Sequence, residues 1–421
     1  MFLAFISIAN AQWQPDVRLT NNTESSYTSY NNAWNVASNG SVVHVIFSDY
    51  RDGNSEIYYK RSTDAGVSWG TDVRLTNSPG TSALSCIAVS GLIVHTVWRD
   101  SRDGNNEIYY KSSTDAGVSW GTDMRLTNNT SVSLDPSVAV SGSVVNVVWE
   151  DQRDGNREIY YKRSTDAGVS WGADVRLTNN SSNSYTPSVA VSGSVMHVVW
   201  EDTRDGISEI YYKPSTDAGV SWGADTRLTN DTAMSEYPSV TVSGSVVHVV
   251  WDDHRDGING EIYYKRSIDA GVSWGADMRL TNNTNLSVFS SVAVSGSVVH
   301  VVWRDERDGN YEIYYKRNPT GNSIGITNIS TEIPSAFSLS QNYPNPFNPT
   351  TNIRFGVQSS GFINIKIFDI LGREISTLVN EQLKPGTYEV DWDGSGFTSG
   401  VYFYTMRTGS YTETKKMLMI K

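Results

Sequence analysis

The chain has 421 residues, 38% of them hydrophobic, and a formal net charge of −12. No run approaches the eighteen or so apolar residues of a membrane helix, so a polytopic membrane protein is excluded; the single cysteine, Cys86, excludes a disulfide scaffold or a cysteine-based zinc site. The negative field argues against nucleic acid or an anionic membrane as partner, and leaves one oddity, 13 Trp beside 23 Tyr and 34 Gly.

At the N-terminus, Phe2 to Ile8 are mostly apolar and Ala9-Asn10-Ala11 has the form of a signal-peptidase site. Residues 1–11 are therefore expected to be a signal peptide that lacks its basic leading region, with the mature chain starting at Gln12. The next piece, Trp13-Gln14-Pro15-Asp16-Val17-Arg18-Leu19-Thr20, matches Trp171-Gly172-Ala173-Asp174-Val175-Arg176-Leu177-Thr178. It is an orphan copy of something that recurs later.

What recurs is a long repeat. Arg-Asp-Gly begins at Arg51, Arg102, Arg153, Arg204, Arg255 and Arg307. Ser-Thr-Asp-Ala-Gly-Val-Ser-Trp places its aspartate at Asp64, Asp115, Asp166, Asp217 and Asp269, with Ile268 in place of Thr in the last copy. A fixed period of about 50 residues marks a repeat array. In the third unit, Ser137 to Val140 reads as a first strand and Val144 to Glu150 as a second. Arg153-Asp154-Gly155-Asn156 reads as a hairpin turn, Glu158 to Lys162 as a third strand and Asp174 to Thr178 as a fourth. Four antiparallel strands per unit make one blade of a β-propeller.

Residues Ser291 to Arg317 supply three strands and then lose the Asp-Ala-Gly turn. The orphan N-terminal piece supplies the fourth. The predicted fold is thus all-β: a six-bladed propeller over residues 12–320, closed by its N-terminal strand, which removes the exposed edges of an open array. A linker at 321–334 and a small Ig-like β-sandwich at 335–421 follow.

The Ser62-Thr63-Asp64-Ala65-Gly66-Val67-Ser68-Trp69 motif and its four copies resemble the Asp-box, or BNR repeat, of the sialidase superfamily. The resemblance covers about residues 12 to 330. It implies a sialidase-like propeller in which the Asp-box lies between third and fourth strands, on the face opposite the active site. Asp64, Asp115, Asp166, Asp217 and Asp269 are accordingly expected to be structural. The aspartate accepts N–H bonds in its own turn, and the Trp packs beneath it.

The opposite face holds the Arg-Asp-Gly turns and is the expected ligand face. There Arg51, Arg102, Arg153, Arg204, Arg255 and Arg307 either pair with neighbours such as Asp151 and Asp202, or form a cationic ring for carboxylated or sulfated glycans. A ligand pocket must break the symmetry, so the variable positions are the other candidates: Trp34, Tyr237 and Phe289 as sugar platforms, and Tyr50, His254 and Glu306 before their Arg-Asp-Gly turns. Asp151, Asp154, Asn156 and Glu158 offer oxygens to calcium, but not in the EF-hand pattern. No cofactor is otherwise expected, and no metal site is assigned. His44, His95, His197, His248 and His300 share one place in five units, with Asn146 in the other, and read as repeated core residues.

Family sialidases need unique arginines, a tyrosine nucleophile with its glutamate, and an aspartate acid/base. Here nearly every Arg, Tyr and Asp has five equivalents. Arg99, Arg304, Glu150 and Glu201 are asymmetric, but they do not form a recognisable triad. Glycoside hydrolysis needs two differentiated carboxylates, and a nearly symmetric ring offers none. The expected function is non-catalytic binding of an extracellular glycan or polymer. The rivals are an exo-α-sialidase or related hydrolase, and a protein-binding surface scaffold.

In the last ninety residues, Asn342-Tyr343-Pro344-Asn345-Pro346-Phe347-Asn348-Pro349 precedes the alternation of Ile363, Ile365 and Ile367. Phe368-Asp369-Ile370-Leu371-Gly372-Arg373-Glu374, Gly386 to Trp392, Ser399 to Tyr404 and Lys415 to Lys421 follow in order. These phrases resemble the type A C-terminal sorting domain of the type IX secretion system. That resemblance implies export to the outside or the outer-membrane surface of a Gram-negative bacterium, with the secretion machinery as a partner through residues 335–421. No membrane span is expected, and the protein is expected to be a monomer. Of the tryptophans, five lie in Asp-boxes, Trp13 is their displaced sixth, five end second strands, and Trp392 lies in the sorting domain. Trp34 alone has no counterpart.

Overall fold

The computed structural model describes residues 18–29, 34–257, 259–295, 298–318, 326–330, 332–394 and 397–420. Every regular element among them is a β-strand. The repeats form six antiparallel sheets, numbered one to six in chain order.

Sheet three shows how the unit is built. Its strands are Ser133–Ser141, Val144–Asp151, Glu158–Ser164 and Val175–Arg176, paired in that order. The first strand is longer than its apolar run predicts. It starts at Ser133 and passes through a bulge between Leu134 and Ser137, where Pro136 is tolerated because no ladder bond is asked of it. The fourth is shorter, because the Thr178 hydroxyl rather than its backbone takes the Ile159 N–H, at 2.8 Å.

The two repeated turns close opposite ends of the unit. Arg153 clamps Asp151 through its N–H (3.0 Å), Nε (2.8 Å) and Nη2 (2.6 Å), reaches Asp174 through Nη1 (2.6 Å), and lies 4.4 Å over the Tyr160 ring. It thereby ties the second, third and fourth strands together. At the other end, Asp166 accepts from Ser164 Oγ (2.6 Å), Ser170 N–H (2.8 Å) and Ser170 Oγ (2.5 Å). A Cβ on Gly168 would collide with the Tyr110 hydroxyl of sheet two, and its φ of 87° favours glycine as well.

Adjacent sheets share apolar cores. Val148, Ile159, Tyr161 and Leu177 of sheet three pack on Val198, Trp200 and Tyr211 of sheet four, and the other neighbouring pairs repeat this. The inner strands are also pinned in register: Ser137 Oγ accepts from Val189 N–H (3.3 Å), Ser188 Oγ from Val240 N–H (3.2 Å) and Ser239 Oγ from Val292 N–H (3.3 Å). The first strands of all six sheets line one cavity of about 520 Å³, valine-rich, with Trp34 on its wall.

Sheet six has three described strands, Ser287–Ser295, Val298–Asp305 and Glu312–Asn318. Ile313 is 73% exposed there, whereas its equivalent Ile159 is fully buried. Most of the orphan segment expected to complete this sheet, residues 13–17, lies outside the described residues, as do the signal-peptide residues 1–11. The part described, which is not itself a strand, repeats some contacts seen after the fourth strands of other sheets. Arg18 Nε donates to Thr20 O at 2.8 Å, as Arg176 Nε does to Thr178 O at 2.8 Å. Asn22 Nδ2 and Ser26 Oγ then reach Asp49 (3.0 and 2.7 Å), as Asn129 and Ser133 reach Asp151 (3.4 and 2.9 Å).

The C-terminal region has two four-stranded sheets, one ordered Ile326–Ser330, Gly386–Asp393, Thr350–Val357, Ser338–Leu339, the other Glu374–Leu383, Gly361–Phe368, Gly400–Thr408, Tyr411–Met419. Their inner faces share a core that includes Ile353, Phe355, Ile363, Ile365, Ile367 and Tyr404. Residues 326–330, expected within the linker, instead pair with Gly386–Asp393. Their β-branched composition suits a strand, and that edge is open to receive one.

Candidate functional site

The end of the sheets that carries the Arg-Asp-Gly turns is where the repeats differ. Each of Arg51, Arg102, Arg153, Arg204 and Arg255 is held by the aspartate two residues before it and by a second aspartate just ahead of the fourth strand. The closest contacts are 2.6–2.8 Å. Arg307 pairs with Asp305. Burial alone would lift the Asp151 carboxyl, but hydrogen bonds from Arg153 and Trp149 hold it below the usual carboxylate range. These arginines are therefore neutralised within their own sheets.

Beside them runs a row of strained residues. Leu84, Asp135, Thr186, Tyr237 and Phe289 occupy the bulge of five successive first strands, each at positive φ between 43° and 56°. None is glycine, although that backbone region favours it. For three of them the preceding sheet supplies an acceptor for the N–H group. Glu150 accepts from Thr186 N–H (3.3 Å), Glu201 from Tyr237 N–H, and Asp252 from Phe289 N–H (2.8 Å) and Ser290 N–H. Between sheets two and three the chemistry is reversed, with Arg99 on the strand and Asp135 in the bulge.

These carboxyls are deeply buried: Glu150 is 1% exposed, Glu201 7% and Asp252 0%. Burial pushes Glu201 up to about 7, with the Glu236 charge adding to the rise and the Ser208 hydroxyl opposing it. Burial also raises Glu150, reinforced by Asp135, and lifts Asp252 well above the carboxylate range. Tyr237 is pushed up to about 12 by burial and then by Glu236 and Glu201. Glu150 also forms a 2.7 Å ion pair with Arg157, which lies 5.2 Å over Tyr185.

The other candidates fall around this row. Tyr237 and Phe289 are half-buried and meet edge to face, 4.8 Å between centroids. His254 stands 3.7 Å from Glu236. Tyr50 is 43% exposed and meets Tyr27 edge-on at 5.9 Å. The Glu306 carbonyl accepts from Asn285 Nδ2 at 3.1 Å. Trp34 lies apart from these, along the central cavity and against the core between sheets two and three. The histidines bond the tyrosine of the third strand, as His44 does Tyr59 at 2.6 Å, and burial lowers His44 to about 4, so its ring is neutral. The five Asp-box aspartates lie at the opposite end of the sheets.

Of the oxygens weighed for calcium, Asp151 is clamped by Arg153, Asp154 takes the Tyr160 hydroxyl, and Asn156 and Glu158 bond each other at 3.0 Å. No group of three or more His, Cys, Asp or Glu among the described residues is arranged to hold a metal ion. Sequence reasoning did not single out Asp252. Its signal is the variable position before the aspartate that ends each second strand: Ser48, Arg99, Glu150, Glu201, Asp252 and Arg304.

Comparison with known proteins agrees with this architecture. A BNR repeat-like domain matches residues 1–249, and a secretion system C-terminal sorting domain matches residues 341–421. No curated protein matches the sequence. Among solved structures, a protein of unknown function from Dyadobacter fermentans shares 12% identity, covers 67% of this chain and 92% of its own, and superposes with a TM-score of 0.52. Trypanosoma rangeli sialidase shares 11% identity over 91% of this chain and 84% of its own, TM-score 0.47. The catalytic domain of a Coprinopsis cinerea GH62 α-L-arabinofuranosidase shares 14% over 52% and 82%, TM-score 0.34. No helix among the described residues is long and apolar enough to cross a membrane. The chain belongs to the BNR repeat-like family, an all-β array of repeated antiparallel sheets, and carries a C-terminal sorting domain that sends it through the type IX secretion system to the exterior or the outer-membrane surface of a Gram-negative bacterium.

Proposed function

We propose that this protein binds an extracellular glycan or related polymer on the face bearing the Arg-Asp-Gly turns, and does not cleave it. The observation that carries the reading is the burial of Glu150, Glu201 and Asp252. Each carboxyl accepts a backbone N–H from the next sheet's bulge. Glycoside hydrolysis asks two carboxyls to reach the substrate as acid and as base or nucleophile. These three instead hold strained backbone in place. What that face exposes includes the rings of Tyr50 and Tyr311, 43% and 51% exposed, which are able to stack on sugars.

The scaffold of this reading is a closed six-bladed ring, with residues 12–20 as the last strand of sheet six. Arg18, Asn22 and Ser26 already make the contacts of a blade-to-blade link. Glu312, whose equivalents Glu158 and Glu209 hold Arg176 and Arg227, bonds only Asn310 among the described residues. Arg18 is its natural partner.

Incubating the exported protein with sialyl-lactose and arabinoxylan, alongside a glycan array, tests the reading. Array binding without product release is the expected outcome. Turnover that a Tyr237→Phe change abolishes would establish the hydrolase instead. An empty array with a protein partner recovered by cross-linking would establish the scaffold.

A further inference from the structure

Building on the glycan-binding reading, the geometry points to Arg304 as the receptor for an oxyanion carried by a sugar, a carboxylate or a sulfate ester, with Phe289 and Tyr311 as its walls. The cationic ring weighed from the sequence is not available for this task, since the six Arg-Asp-Gly arginines are paired with aspartates. Arg157 is paired with Glu150. Arg304 differs from all of these. Its guanidinium lies 4.7 Å from the Phe289 centroid and 4.0 Å from that of Tyr311, and its buried Nε has no hydrogen-bond partner among the described residues.

Its position explains why. Arg304 is the next-to-last residue of the second strand of sheet six, opposite Ile313, at the place where sheets three to five carry the bulge-capping carboxyls. At the same place in sheet two, Arg99 faces the Asp135 carboxyl of the following sheet. The nearby Asp252 carboxyl is already bonded to the Phe289 and Ser290 amides. A cation held by ring faces keeps its planar donor edges free. Those edges match the two oxygens of a carboxylate or sulfate, which bind a guanidinium in a paired geometry. Tyr311, 51% exposed, offers its other face to the apolar side of the same sugar.

The test measures affinity of the full exported chain for alginate (carboxylate), carrageenan (sulfate) and laminarin (neutral), by affinity electrophoresis at low and high salt. The expected result is at least tenfold tighter binding to one or both acidic polymers than to laminarin, weakening with salt. Arg304→Gln should lose that preference and keep the laminarin affinity, and Arg304→Lys should restore part of it. Which acidic polymer responds identifies the oxyanion. Unchanged melting of the variants separates loss of contact from misfolding, and the salt dependence of the parent needs no variant. Equal affinity for acidic and neutral polymers, or an unaffected Arg304→Gln protein, overturns the assignment of Arg304 and leaves glycan binding standing. Failure to bind any polysaccharide overturns both.

Discussion

Asp252 of sheet five accepts a 2.8 Å hydrogen bond from the backbone N–H of Phe289, a residue held at φ 56° in sheet six. One contact thus fixes the strained backbone that presents an aromatic ring and joins two sheets. Removing the acceptor leaves a buried amide unpaired. Asp252→Ala should cost about 1–3 kcal/mol in urea unfolding, and Asp252→Asn, which keeps an acceptor oxygen, distinctly less. Equal losses in both variants would contradict the capping role.

Glu201 makes the pH dependence testable. Its folded pKa of about 7 lies above its ordinary 4.5, so the folded state holds the proton longer than the unfolded one. Its contribution to stability is present below about 4.5 and is lost as pH rises through about 7. At ~1.4 kcal/mol per pKa unit the swing is about 3 kcal/mol. Glu201→Gln should flatten the stability profile over that window. A variant as steep as the parent would refute this.

The Arg-Asp-Gly arginines should behave as scaffold. Arg204→Gln strands Asp202, which is fully buried and otherwise paired with it at 2.6 Å. A loss of about 3–5 kcal/mol is expected, as for other broken buried pairs. The polysaccharide affinity of the protein that remains folded should be unchanged. A selective loss of affinity at full stability would return these residues to the ligand face.

Ring closure predicts a pairing that can be exchanged. Arg18→Glu and Glu312→Arg should each lower the melting temperature, and the double variant should recover most of the loss. A coupling of about 1 kcal/mol is the size expected for contacting residues. Strictly additive losses would show that the two do not meet.

Export depends on the C-terminal module. Deleting residues 335–421 should leave the protein in the periplasm, detected by fractionation and surface proteolysis. Unchanged surface display would rule out the sorting role.

Much of the fold was legible because its signals are local and repeated. Gly155 and Ala167 sit in turns that their own tetrapeptides specify, and Ile363, Ile365 and Ile367 alternate as a half-buried strand must. The misjudged boundaries have a different origin. The first strand runs back to Ser133 through a bulge that Pro136 hid. The fourth strand stops at Arg176 because Thr178 uses its side chain. Residues 326–330 became a strand because a distant edge was open. In each case the deciding partner lies outside the segment that was read.

The site was legible only as a set of exceptions. Arg99, Arg304, Glu150 and Glu201 stand out as unlike their counterparts, but asymmetry does not say what each faces. By itself the sequence determined the repeat, the strand and turn chemistry and the sorting domain, because these rest on residues within a few positions of one another. Only the tertiary structure decided which charges are scaffold. Arg153 is answered by Asp151 and Asp174, whereas Arg304 meets two rings and, among the described residues, no acid. Whether a charge is neutralised depends on what the next strand or sheet places against it, and that is set by packing between segments far apart in the chain.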